Sequence, residues 1–140
     1  MHTTVKWVDN AMFVGESGSG HSVVMDGPPD HGGRNMGVRP MEMLLLGLGG
    51  CASYDVMSIL QKSRQQVIDC RAELSAKRAE GVPSPFTHIH IHFVISGHNV
   101  KEKQVANAIN LSATKYCSAS IMLEVAGVEI SHDFEIVQTK

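Results

Sequence analysis

"RPMEMLLLGLGGCASYDVMSIL", residues 39–60, decides how the rest of the chain must be arranged. Pro40 is preset for a helical first turn and Glu42 suits the positive end of a helix dipole, so a helix is predicted from Pro40 to about Ser63. At roughly 1.5 Å per residue it would be about 35 Å long. Its first half, "MLLLGLGG", is apolar almost all round and calls for burial on several sides. Its second half, "YDVMSILQKSRQQ", is amphipathic, with Val56, Ile59 and Leu60 on one side and Gln61, Lys62 and Gln65 turned to water. Gly49 and Gly50 each cost a helix interior about 1 kcal/mol relative to alanine. Close packing, or access of a substrate to the adjacent Cys51, must offset that cost.

On the N-terminal side, "TTVKWV", "AMFVGE" and "HSVVMD" read as short strands separated by the turn residues "DN" and "SGSG", an antiparallel meander. Residues 27–39, rich in glycine and proline, read as a loop long enough to be functional. On the C-terminal side come two long strands, "QVIDCRAELSAKRAE" and "FTHIHIHFVISG", joined by "GVPSP". An amphipathic helix over 101–115 breaks near "YCSAS", a short helix "SIMLEVA" ends at Gly127, and "VEISHDFEIV" is a last strand. The order βββ-α-ββ-αα-β predicts an α+β fold of antiparallel sheets around one central helix, in a single domain over 1–140. So small a chain lacks the sheet to cover a helix that is apolar all round, and a second protomer is the expected source of that surface, as a homodimer.

Composition narrows the function classes. Twelve Lys+Arg against fourteen Asp+Glu leave a net charge of −2 with no block of like charge, which argues against a nucleic-acid partner. The N-terminus lacks the basic and apolar regions of a secretory signal, and no stretch reads as a membrane span, so a cytoplasmic protein with no membrane partner is expected.

Cys51, Cys70 and Cys117 form no C-x-x-C pair and fit neither a disulfide scaffold nor a zinc knuckle. Cys51 reads either as a small core residue or as a reactive thiol. Asp55, four residues on, shares its helix face; a carboxylate raises a neighbouring thiol's pKa rather than lowering it, so Asp55 reads as a partner for some cation, not as an activator. Cys117 lies at a predicted helix start beside Lys115, a setting that favours thiolate, with simple burial as the alternative. Cys70, mid-strand, reads as structural. His88, His90 and His92 share one strand face; two neighbours could converge on a metal ion and three could not without strain, so a solvated face is the reading. No metal site and no cofactor is expected.

"RPMEMLLLGLGGC" followed by "ASYDVMSIL", and "KYCSAS" some 66 residues later, resemble the OsmC/Ohr family of thiol-dependent peroxidases. The resemblance extends through the element order over nearly the whole chain, and "GGC" and "DV" in the central helix resemble the OsmC-like branch of small bacterial proteins. It implies an intertwined homodimer whose sheets wrap two long central helices. It also implies an organic hydroperoxide as substrate, Cys51 as the peroxidatic thiolate, Cys117 as its resolving partner in a disulfide, and an external dithiol as reductant, with no metal, haem or flavin. Such proteins act in oxidative-stress defence. Family members hold the thiolate with an arginine from the N-terminal strands and a glutamate just after the helix proline. Here residues 1–33 contain no arginine, the nearest being Arg34 and Arg39 in the loop. Met41 follows Pro40, so the glutamate role falls one place later, on Glu42. Nine helical residues turn through about 900°, which would face Glu42 away from Cys51 unless "GLGG" kinks the helix; capping of the helix is its other reading.

Two further functions are compatible with the same residues. One is a non-catalytic module that holds an apolar ligand against the leucines before Cys51, with the thiols as a redox sensor. The other is a histidine metal site on the strand over 88–92.

Overall fold

The structure is a computed structural model that describes residues 1–140. The chain forms two units, Met1–Leu46 and Gly47–Lys140.

In the first unit, β1 (Thr3–Asp9), β2 (Met12–Ser17) and β3 (Ser22–Met25) form the expected antiparallel meander, in the order β1-β2-β3. The loop that follows has few apolar side chains, and one buried carboxylate organises it. Asp26 accepts hydrogen bonds from the backbone N–H groups of Gly27, Arg34 and Met36, at 2.8, 3.2 and 3.2 Å. Burial pushes the Asp26 carboxyl up, but those donors outweigh it and hold it below the usual carboxylate range. At the end of the loop, Glu42 reaches back and its Oε1 accepts the Arg39 backbone N–H at 2.8 Å, the return half of a capping box that opens the helix at Pro40.

Helix α1 (Pro40–Lys62) straddles the division and is continuous as an element. Leu48, Ala52, Val56 and Leu60, each four residues after the last, are its buried stripe. The expected burial of the first half on several sides is not supplied by this chain alone, because Leu44 and Leu46 remain 52% and 59% exposed. By length and composition α1 could also cross a membrane, which corrects the expectation that no stretch qualifies. The core helix of a globular protein has the same features, and the buried stripe is of that kind.

In the second unit, β4 (Gln66–Arg78) pairs antiparallel with β5 (Phe86–His98). The chain then runs through α2 (Glu102–Leu111), one turn of π-helix at Ser112–Tyr116, and α3 (Ser118–Val125) into β6 (Glu129–Gln138). Gly127, at φ +96°, ends α3 as expected: its N–H and that of Val128 close on the carbonyls of Glu124 and Leu123. Strand β6 lies parallel to β5, with β5 central in the order β4-β5-β6. Wholly antiparallel sheets are therefore the wrong expectation. A parallel neighbour needs a crossover of a dozen or more residues, and the segment from α2 to α3 is one. Strand alternation is as read: Ile89, Ile91, Phe93 and Ile95 are buried, while His88, His90 and His92 point to the other face.

Candidate active site

Cys51 and Asp55 project from one face of α1, four residues apart, and Cys117 comes to them from within the crossover, between the π turn and α3. The two sulfurs and a carboxylate oxygen of Asp55 all lie within 4.8 Å of one another. All three cysteines are free. Cys51 is partly exposed, and Cys117 is fully buried.

Local structure explains how Cys117 reaches that position. The π turn adds a residue to the helical count, so the Cys117 N–H bonds the Ser112 carbonyl five residues back, at 2.8 Å. The buried Ser112 hydroxyl donates to the Ala52 carbonyl on α1 at 3.3 Å, which ties the turn to the helix that carries Cys51. Cys117 is then the N-cap of α3, and its Sγ accepts the Ser120 N–H at 3.4 Å.

That helix start was expected to favour thiolate, and the net effect is the reverse. Burial pushes the Cys117 thiol up; the Ser120 N–H, which favours the thiolate, does not offset it, and the neighbouring Cys51 adds to the rise. Lys115 is exposed and sits over the Tyr116 ring, 5.3 Å from its centroid, so its charge is spent at the surface.

Asp55 is the member whose importance sequence reasoning underrated. Its Oδ2 is shielded from solvent and has no hydrogen-bond partner, and the buried Ser120 hydroxyl is likewise unpartnered. The i, i+4 spacing from Cys51 was the available signal; the approach of Cys117 to Asp55 had none. In the first unit, Glu42 caps the helix, Arg34 pairs with Asp9, and Arg39 contacts Asn35 and Glu42. Each of these charges thus has a local partner.

Cys70 lies apart from the pair, in a groove of about 410 Å³ bordered by Gly50, Tyr54 and Met57. Burial, with Asp69 beside it, pushes its thiol up. On the outer sheet face each histidine finds its partner on β6. His88 Nε2 lies 3.1 Å from Glu129; His90 contacts Ser131 and Asp133 at 2.6 and 2.8 Å; His92 contacts Asp133 at 2.7 Å. Asp133 raises the His92 pKa, and the two imidazoles lower that of Asp133.

The sequence model described as OsmC-like protein matches residues 31–133, and the chain belongs to that family. Protein YhfA of Escherichia coli strain K12 is 49% identical over 140 residues, 98% of each chain. A solved structure of a hypothetical protein from Aquifex aeolicus superimposes with a TM-score of 0.86 at 29% identity, over 99% of this chain and 97% of that one. The organic hydroperoxide resistance protein OhrB of Bacillus subtilis shares the fold, with a TM-score of 0.65 at 14% identity over 96% of each chain.

Proposed function

We propose that this protein is a cysteine-based organic hydroperoxide reductase of the cytoplasm, acting in oxidative-stress defence. The observation that carries the reading is the approach of Cys51 and Cys117, whose sulfurs lie within 4.8 Å although 66 residues separate them in sequence. Cys51, the more accessible thiol, attacks as thiolate on one peroxide oxygen. The S–O bond forms, the O–O bond breaks, and the alkoxide leaves as an alcohol once protonated, which leaves a sulfenic acid. Cys117 then displaces the hydroxyl as water and closes the disulfide. Its raised pKa suits a thiol that waits protonated until the sulfenic acid forms. An external dithiol restores the pair by thiol–disulfide exchange.

The working unit in this proposal is a homodimer. Leu44 and Leu46 on α1, exposed at 52% and 59%, are the kind of apolar side chains that a second copy covers. The test is consumption of cumene hydroperoxide by purified protein with a dithiol, alongside Cys51→Ser. Turnover that disappears in Cys51→Ser is expected. Peroxide loss equal to a protein-free control defeats the peroxidase reading.

A further inference from the structure

Asp55 is the member of the thiol cluster for which peroxide chemistry has no task. A carboxylate oxygen shut off from water without a hydrogen-bond donor is costly, because its charged form has lost solvation and gained nothing in return. No lysine, arginine or histidine forms an ion pair with it. Two thiols stand beside it, so the three donors share one small volume.

We propose that, with both cysteines reduced, Cys51, Asp55 and Cys117 bind one thiophilic divalent cation of the zinc class. Cys51 and Asp55 are four residues apart on one helix, a spacing that lets two side chains reach the same ion. Cys117 supplies the third donor from the N-cap of α3. A tetrahedral zinc with sulfur ligands at about 2.3 Å holds them about 3.7 Å apart, so donors already within 4.8 Å close by side-chain rotation of about 1 Å. Thiolate ligands select zinc over magnesium or calcium. Three protein donors leave the fourth tetrahedral position for a water, the pattern of a zinc site with three protein ligands, and Cys51 is the partly exposed member of the three. The Ser120 N–H on Cys117 Sγ is an outer contact that steadies the thiolate. Binding replaces two thiol protons, which go to solvent.

Metal binding itself does not depend on the peroxidase reading; one consequence does. Two thiolate ligands, one hydroperoxide and two protons give a disulfide, an alcohol, water and the freed cation, so oxidation of the pair expels the ion.

The experiment is titration of the reduced, metal-stripped protein with cobalt and then zinc, without peroxide. One cobalt per chain is expected, with a near-ultraviolet sulfur-to-cobalt charge-transfer band that zinc abolishes. Asp55→Asn keeps both thiols and is expected to weaken zinc by roughly tenfold or more. Cys51→Ser weakens both the band and the affinity, and Cys70→Ser leaves them unchanged. Circular dichroism of each variant separates loss of a ligand from loss of fold. Three outcomes overturn the proposal: no sulfur-to-cobalt band in folded, fully reduced protein; affinity unchanged in Asp55→Asn; or a bound metal that is lost in His90→Ala but kept in Cys51→Ser. Because no peroxide is present, any of these leaves the turnover assay to be judged by itself, and failed turnover leaves this titration intact.

Discussion

Replacing Gly49 and Gly50 separately with alanine should change stability by different amounts, although the two are adjacent in one helix. A Cβ on Gly49 would stand 2.8 Å from Leu74 Cδ1, where 3.4–4 Å is ordinary contact, so Leu74 must retreat by about 0.6 Å or more. A Cβ on Gly50 meets nothing within 4 Å. Both substitutions gain about 1 kcal/mol from helix propensity and a less flexible unfolded chain. Gly50→Ala should therefore stabilise by about 1 kcal/mol. Gly49→Ala carries in addition an overpacking cost of about 1–3 kcal/mol, toward the lower end because Leu74 is only half-buried and yields at its tip. The difference, about 1–2 kcal/mol, corresponds to roughly 3–7 °C in Tm for a chain of this size. Thermal and urea unfolding at matched protein concentration measure it, since any association would make Tm concentration-dependent. Equal stabilisation by the two alanines would refute the packing argument. Destabilisation by Gly50→Ala alone would place another surface, a second copy in the proposed dimer, over that face.

In Cys117→Ser, a single equivalent of cumene hydroperoxide should stop at a Cys51 sulfenic acid that a dimedone-type reagent captures, with no internal disulfide by mass spectrometry. Ser112→Ala should cost about 1 kcal/mol by removing a buried hydrogen bond, and should slow disulfide closure more than it slows the first reaction with peroxide, as stopped-flow single-turnover kinetics would show. The His92–Asp133 pair gives a pH signature. His92 is raised above its ordinary 6.5, so its contribution is full below that value and is lost as pH climbs through the folded pKa. Asp133 is lowered below 3.8, so its contribution is present above that value and is lost as pH falls through the folded pKa. Asp133→Asn should therefore lower Tm most at pH between 3.8 and 6.5 and least in alkaline buffer; a deficit constant with pH would contradict the pairing.

Much of the fold could be read from local chemistry. Turn residues placed the three-strand meander, Pro40 and the leucines placed α1, strict alternation placed β5, and Gly127 placed the end of α3. The site was legible one thiol at a time. Glu42 was open to two readings, and its bond to the Arg39 N–H is that of a cap.

What the sequence by itself determined, then, were features whose causes lie within a few residues: helix and strand periods, caps and turns, and the family to which the cysteine motifs belong. Tertiary structure decided whatever depended on distant partners. β6 runs parallel to β5 because the crossover returns the chain to the same end of the sheet, a matter of chain path that no short window encodes. Cys117 meets Cys51 because a π turn and the Ser112 hydroxyl hold it against α1. The thiol expected to ionise at a helix start instead has its pKa pushed up, since desolvation depends on everything packed around it and outweighs the local N–H. Asp55 acquires its unpartnered oxygen for the same reason: burial is a property of the folded surroundings, and helix spacing alone cannot report it.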